Sequence, residues 1–356
     1  MDAMPTADAG APEVRDCGYV QTAQRRVEAM RAAQKDTLVE PTSGELEKAL
    51  AKSIRKLNLR AQNWRNRVYT IEFEDGSVAI AKQLVMGSDA MLRYQFEQLQ
   101  RLAALNISGL RVPKALALLP QKRVLVMEFA AGKNIETLAW TSSDVLRACD
   151  LAGKILARIQ AARTEDISAM PVELLGRDFA AAPWRLSRAE GELLQRTLEK
   201  LSRATVRKGQ VYYDYKPANL LFHKNQLFLV DPPDTLWRGV HLWDYACFQS
   251  SMRRHGWRMT LRRPLDRARR IVLQQGQVAF ERSYRATFTE RYPEPGFFNL
   301  SVRLFELQRN AVLMTMQNAK VQLTREHASI AQGGRLGNPL GNRMTLPLLE
   351  FEKRWL

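Results

Sequence analysis

The sequence predicts an α+β chain in two lobes, a small antiparallel-sheet lobe followed by a mainly helical one. Three observations carry that expectation. Two runs rich in β-formers, Val68 to Phe73 and Val78 to Leu84, flank the turn Glu74-Asp75-Gly76. Beyond Thr141 the apolar residues recur mainly at helical spacing. Within that helical half, two short strands, Leu220 to Phe222 and Leu227 to Val230, are joined by His223 to Gln226 and bracketed by polar residues.

Taken in order, residues 1–41 mix Ala, Pro, Gly and Asp with weak periodicity and read as a flexible leader, with a short helix around Val20 to Gln34. A capping box, Thr42 to Glu45, opens a helix whose Leu46, Leu50, Ile54 and Leu57 recur at helical spacing, with Lys48, Lys52, Arg55 and Lys56 on its other face. The hairpin follows, then a helix near Ser88 to Leu105, a connection through Pro113, and a strand from Val124 to Glu128 that enters a turn at Gly132. These elements make residues 42–130 the first lobe. Residues 131–356 form the second, with helices expected near Asp144 to Ala162, Arg188 to Ala204 and Phe298 to Gln322.

With 356 residues, 46% of them hydrophobic, the chain can bury a sizeable core. It lacks an uncharged apolar run of about 18 residues and a signal-peptide start, so a cytoplasmic protein is expected. The three cysteines, Cys17, Cys149 and Cys247, are scattered, and His223, His241, His255 and His327 show no metal-ligand spacing. That pattern argues against a disulfide framework and against structural zinc. The net charge of +17 is uneven: residues 1–50 carry 6 basic and 9 acidic side chains, a net of −3, so the remainder carries +20. Anionic partners follow from that balance. The densest stretch, Arg253 to Arg291, has 11 arginines against Asp266, Glu281 and Glu290. It reads either as a solvated helical face or as a surface for phosphate or carboxylate groups, which suit the arginine fork.

The string from Val211 to Phe222, VYYDYKPANLLF, followed by Leu227 to Asp231, places Asp214, Asn219 and Asp231 at the edges of one small hairpin. Any one of them alone would read as a turn or cap residue. Together they supply what a phosphoryl donor needs: a carboxylate near an attacking hydroxyl, and an amide plus a second carboxylate to hold magnesium against phosphates.

The pattern Asp-x-Lys-Pro-x-Asn-Leu-Leu, with an Asp after the next strand, resembles the catalytic and metal loops of the protein-kinase superfamily. The stretch from Gln62 to Ser250 is more similar to its small-molecule branch, the aminoglycoside phosphotransferase and choline kinase group. Asp231 is followed by Pro-Pro-Asp instead of Phe-Gly, no Ala-Pro-Glu segment follows, Asp244-Tyr245-Ala246 resembles that group's Asp-Leu-Ala, and Asn63 to Asn66 stands in place of a glycine-rich loop.

The resemblance implies a bilobal protein-kinase-like fold that uses ATP and Mg2+. Asp214 would serve the acceptor hydroxyl and Lys216 the transferring phosphoryl group. Asn219 and Asp231 would hold the metal, and Lys82 the α and β phosphates. Adenine would pair with backbone groups near Glu128 and Phe129. The helix after Lys82 offers Gln95 at the position where the family has a glutamate, with Glu97 turned away from the apolar stripe. Tyr212 and Tyr213 replace the residues that usually precede the catalytic aspartate. Asp244 is expected to fix the catalytic loop by hydrogen bonds, and Asp234 to be a turn residue. The expected acceptor is an anionic small molecule or glycolipid, such as a cell-envelope saccharide, met either in the cytoplasm or at the inner face of an anionic membrane. Nucleic acid is set aside because no recognition motif accompanies the charge. A protein kinase and a catalytically dead kinase-like module are the alternatives.

Overall fold

The computed structural model describes residues 13–14, 18–32 and 39–326, apart from 64, 86, 139–142, 263–264 and 288–294. The chain runs through β1 (Glu13–Val14), α1 (Tyr19–Ala32) and α2 (Ser43–Leu50) into β2 (Ile54–Gln62), β3 (Asn66–Phe73) and β4 (Val78–Leu84). Next come α3 (Asp89–Ala104), β5 (Leu110–Arg111), β6 (Ala115–Leu119), β7 (Val124–Glu128) and β8 (Lys133–Asn134). Strands β2-β3-β4-β7-β6 form an antiparallel sheet in that order, with α3 against one face. The predicted hairpin is β3 and β4, closed at Gly76, whose φ of 79° is a left-handed conformation that glycine adopts without strain. Strand β6 was not foreseen. Its half-buried run Ala-Leu-Ala-Leu-Leu has no clear alternation to mark it.

One helix is shorter than expected. The capping box on α2 forms, with the Thr42 hydroxyl accepting from the Glu45 N–H and Glu45 accepting from the Thr42 N–H. The helix stops at Leu50, however, because Ala51 turns left-handed (φ 49°) and Ile54 begins β2. Leu46, Leu50, Ile54 and Leu57 still meet in one cluster under the sheet. Contact between helix and strand thus imitates the spacing of a single longer helix.

The helical lobe contains α4 (Ser143–Ala162), β9 (Thr164–Ala169), α5 (Val172–Ala181), α6 (Arg188–Leu201) and β10 (Thr205–Gln210). It continues through β11 (Leu220–His223), β12 (Gln226–Leu229), β13 (Leu236–Val240), α7 (Leu242–Arg262), α8 (Arg267–Thr287) and α9 (Pro295–Glu326). The hairpin of β11 and β12 sits in a small sheet, β5-β12-β11-β8. A third sheet, β1-β13-β10-β9, corrects the expectation of a single strand pair in this half. Helices α4 and α8 approach so closely at Gly153 that an added Cβ would lie 2.3 Å from the Phe280 carbonyl oxygen. Trp237, Trp243, Tyr215, Phe248 and Phe280 fill the core.

The flexible-leader reading is corrected over α1. Tyr19, Val20, Ala23 and Val27 recur at helical spacing and are buried against the helical lobe, where α1 packs on α5 and α9. The Asp178 carboxylate accepts from the N–H groups of Tyr19 (2.7 Å) and Val20 (3.1 Å), satisfying the start of the helix. Residues 33–34 of the expected helix lie outside the described residues. No helix among the described residues is long and apolar enough to cross a membrane.

Candidate active site

The register of the β11 and β12 hairpin builds the site. Lys224 (φ 46°) and Asn225 (φ 60°) form a two-residue turn with both central residues left-handed, which matches the twist of the strands. Pairing of Leu220 with Leu229 then puts Asn219 opposite Val230, whose N–H donates to the Asn219 carbonyl at 3.1 Å. Asp231 follows at φ 60°, a left-handed conformation for which aspartate has more tolerance than most residues.

Asp214 reaches the same place from the loop after β10. The Asn219 side-chain amide donates to the Asp214 carbonyl oxygen at 3.0 Å and to its carboxylate at 3.3 Å. The Lys216 ammonium lies 2.5 Å from Asp214 Oδ2. Burial pushes the Asp214 carboxyl up, but Lys216 and Arg309 together hold it well below the usual carboxylate range.

Lys82, paired in register with Val68 and Leu125, extends from the middle of the first-lobe sheet and forms an ion pair with Asp231. Burial raises the Asp231 carboxyl, and Lys82 and Arg65 more than reverse that. The predicted residues Lys82, Asp214, Lys216, Asn219 and Asp231 are therefore brought together.

Gln95 is not bonded to Lys82. It is buried in α3 and donates from Nε2 to the Pro232 carbonyl at 3.2 Å, bracing the segment just after Asp231. Glu97 is at the surface, 3.2 Å from Arg101. The Lys82 ammonium finds Asp231 because both lie at the cleft, whereas the Gln95 amide is taken by a backbone carbonyl. Glu128 ends β7 and Phe129 follows it at the crossing between lobes. The Glu128 N–H is engaged by the Lys114 carbonyl at 2.9 Å, and Phe129 is exposed beneath the Arg60 guanidinium.

The tyrosine pair supports the loop. Tyr212 is buried, and its hydroxyl donates to the carbonyls of Val230 (3.1 Å) and Asp231 (2.9 Å), tying the loop of Asp214 to that of Asp231. Tyr213 (φ 71°) stacks on Trp237 with ring centroids 3.6 Å apart. Asp244 sits below both and accepts from the N–H groups of Tyr212 and Tyr213, each at 2.7 Å. Burial pushes its carboxyl up to about 7 despite those two bonds. Asp234 is more than a turn residue: it is buried and ion-paired with Arg65. Of the histidines, His241 is buried, and its imidazole is pushed down to about 4, first by burial and then by Arg207 and Arg163. His327 lies outside the described residues.

Two contributors escaped the sequence reading. Arg309 on α9 is only 4% exposed and places Nη2 3.3 Å from Asp214 Oδ1. Its signal was a charge on the stripe Phe305, Arg309, Val312 of an amphipathic helix. Glu136, in the turn after β8, has its carboxyl raised by burial against the pull of Lys216, Arg258 and Arg254. Four of the eleven arginines in the arginine-rich stretch form ion pairs. Arg253 makes a bidentate pair with Glu306 (2.9 and 2.7 Å), Arg269 pairs with Asp266 (2.8 Å), Arg282 with Asp150 (3.4 Å) and Arg285 with Glu281 (3.2 Å). Two of those acids lie outside the stretch, which is why its local charge overstated its free charge. Arg263 and Arg291 lie outside the described residues.

Among the described residues no cluster of three or more His, Cys, Asp or Glu side chains could hold a metal ion by itself. Asp231 and Asn219 do fit a cation that takes one or two protein oxygens and completes its shell with phosphates and water. The Asn219 amide nitrogen is turned to Asp214, which leaves its oxygen as the hard ligand.

A small antiparallel sheet carrying a cleft lysine, set over a helical lobe with Asp214, Asn219 and Asp231 on adjoining loops, defines a kinase-like phosphotransferase. The family model described as "Phosphotransferase enzyme family" (APH) matches residues 19–279. The chain belongs to that family and is an ATP-dependent phosphotransferase. A search of curated proteins found no match. Among solved structures, the amicoumacin kinase hAmiN in complex with AMP-PNP, Ca2+ and Ami is similar over 87% of this chain and 95% of its own, at 16% identity and a TM-score of 0.50. The macrolide 2'-phosphotransferase MphH from Brachybacterium faecium covers 88% and 98% at 16% identity and a TM-score of 0.51. At those identities the likeness is one of fold.

Proposed function

We propose that this protein transfers the γ-phosphoryl group of ATP to a hydroxyl of a small anionic acceptor. The observation that carries the reading is the convergence of Asp214, Asn219 and Asp231 on one cleft, with Lys82 facing them from the opposite lobe. In the transfer, the hydroxyl oxygen bonds to the γ-phosphorus while the bond to the ADP oxygen breaks, and the hydroxyl proton is released. Asp214 orients the hydroxyl. Lys216, beside it, neutralises charge on the phosphoryl group in flight. Lys82 steadies the phosphates of the nucleotide, and Asn219 and Asp231 would hold Mg2+, which supplies charge neutralisation on those phosphates when bound.

The acceptor's negative charge is supported by what surrounds Asp214. Arg254, Arg258 and Lys216 face Glu136 at this mouth, and Arg254 reaches Ser251, which also bonds Arg309. Forked guanidinium groups suit a phosphate or carboxylate on the acceptor. A glycolipid with such a head belongs to the same class. A second reading, in which the acceptor is met at an anionic membrane surface, is favoured by Leu261 and Leu265, which are 57% and 94% exposed beside the exposed Arg267 and Arg270.

The test uses γ-labelled ATP with cell-envelope extract, comparing the wild type with Asp214→Ala and partitioning label between lipid, protein and aqueous small-molecule fractions. Asp214-dependent label in the lipid or aqueous fraction, on a compound retained by an anion exchanger, supports the reading. Label confined to protein points to a protein kinase. Flotation with anionic vesicles tests the second reading, and no affinity for them removes it.

A further inference from the structure

Three side chains, two from its own loop and one from α9, meet on Asp214. Lys216 and Asn219, from its own loop, take Oδ2 at 2.5 and 3.3 Å, and Arg309, from α9 some 95 residues away in sequence, takes Oδ1 at 3.3 Å. Arg309 is itself fixed. Its Nη1 lies 2.6 Å from Cys247 Sγ, its Nη2 lies 3.5 Å from Ser251 Oγ, and the guanidinium is buried between α7 and α9. Its neighbours are also engaged: Gln308 donates to Asp178, and Asn310 accepts from Arg254 at 3.0 Å. The turn of α9 from Glu306 to Asn310 is thus a polar seam in an otherwise apolar helix.

We propose that Arg309 is a positioning residue for the acceptor-orienting carboxylate: by holding one oxygen of Asp214 while Lys216 and Asn219 hold the other, it fixes the carboxylate plane. The role in orientation rests on the phosphotransfer reading; the contact does not. A carboxylate gripped at both oxygens is held from rotating, so its remaining lone pairs meet the acceptor hydroxyl in one direction. It aligns the acceptor hydroxyl without retaining its proton, and that proton leaves with the phosphorylated product and passes to solvent. A side chain that merely filled the core at position 309 would be apolar, since burying a guanidinium without a charge partner is costly.

The groups that face Asp214 are Lys216, Arg309, Arg65, Asp231 and Glu136, with the Tyr212 hydroxyl and the Cys247 thiol behind them. Tyr212 and Cys247 stay neutral because burial raises both. Of the remaining charges, Arg65 and Asp231 are balanced by Asp234 and Lys82. Arg309 is therefore the cation whose removal should change Asp214 most without touching its own loop.

The experiment compares wild type, Arg309→Gln and Arg309→Lys for the initial rate of Asp214-dependent label transfer from γ-labelled ATP into cell-envelope extract, and compares crystal structures of the wild type and Arg309→Gln. At saturating ATP, Arg309→Gln should lower the rate about tenfold or more with the KM for ATP little changed, and Arg309→Lys should restore most of it. In the crystal structure of Arg309→Gln the Asp214 carboxylate plane should be turned from its wild-type orientation. A wild-type rate in Arg309→Gln with native near-UV circular dichroism overturns the proposal, and so does an unchanged Asp214 orientation in that variant. If neither protein turns over ATP, the phosphotransfer reading fails while the two structures still decide the role of Arg309.

Discussion

Arg65, in the turn between β2 and β3, is ion-paired with Asp234, three residues beyond Asp231. The turn between β2 and β3 is thereby tied to the segment that follows Asp231. The Asp234 side chain is 3% exposed and that of Arg65 24%. Breaking such a pair leaves a buried charge, so Asp234→Ala should cost about 3 kcal/mol of stability. It should also raise the KM for ATP, as the turn loses its anchor. Calorimetry and initial rates check both, and an unchanged Tm would mean that the pair forms without bearing on the fold.

Asp244 predicts a pH dependence with a definite sign. Its carboxyl is pushed up to about 7 in the folded chain, above the ordinary carboxylate value of about 3.9. Between those values the folded state holds a proton that the unfolded state has lost, so this group's contribution to stability falls as pH rises from about 4 to about 7. Asp244→Asn should flatten that part of the curve. Asp244→Ala removes the acceptor of two backbone N–H groups and should lower kcat about a hundredfold, since those groups shape the loop carrying Asp214. Denaturant melts at pH 5, 6, 7 and 8 supply the measurement, and parallel curves for wild type and Asp244→Asn would sink the linkage.

Tyr212→Phe removes one hydroxyl that two carbonyls share, those of Val230 and Asp231. The ring still fills its place, so the expected stability loss is only about 1–2 kcal/mol. Activity should fall further than stability, with kcat down about tenfold, because the lost bonds position Asp231. A variant with wild-type kcat at a saturating divalent metal concentration would show that the hydroxyl serves folding alone.

At Gly18 an added Cβ would lie 1.8 Å from Asp178 Oδ1, the oxygen that caps α1. Gly18→Ala should therefore undock α1, exposing Tyr19, Val20 and Ala23, and should raise proteolytic sensitivity in the first forty residues. Asp178→Ala should do the same by removing the cap. Both should lower Tm by several degrees, as each large apolar side chain on α1 contributes roughly 1.5–3 kcal/mol when buried. Protease resistance equal to that of the wild type would show that the helix stays docked without its cap.

The difference between what was legible and what was not lies in the range of the interactions involved. The hairpin of β3 and β4, the helix after it and the β11–β12 hairpin each form from residues near one another in sequence, so periodicity and turn chemistry reveal them. The spacing of Asp214 from Asn219 and the step to Asp231 are likewise local, and the family pattern could be read there. The run Leu46, Leu50, Ile54, Leu57 misled because periodicity cannot distinguish one long helix from a helix and strand that cover the same apolar patch. The helix of the leader was anticipated, but not its burial, because the face it covers belongs to α5 and α9.

The sequence by itself determined the two-lobe order, the hairpin that brings Asn219 near Asp231, and the lysine strand, since each depends on short-range geometry. Only the tertiary structure decided that Lys82 meets Asp231 instead of Gln95, that Asp234 holds Arg65, that Glu306 and Asp150 neutralise distant arginines, and that Arg309 reaches Asp214. Charges pair with whatever the packing of distant elements brings within a few ångströms, and chain separation carries no record of that distance.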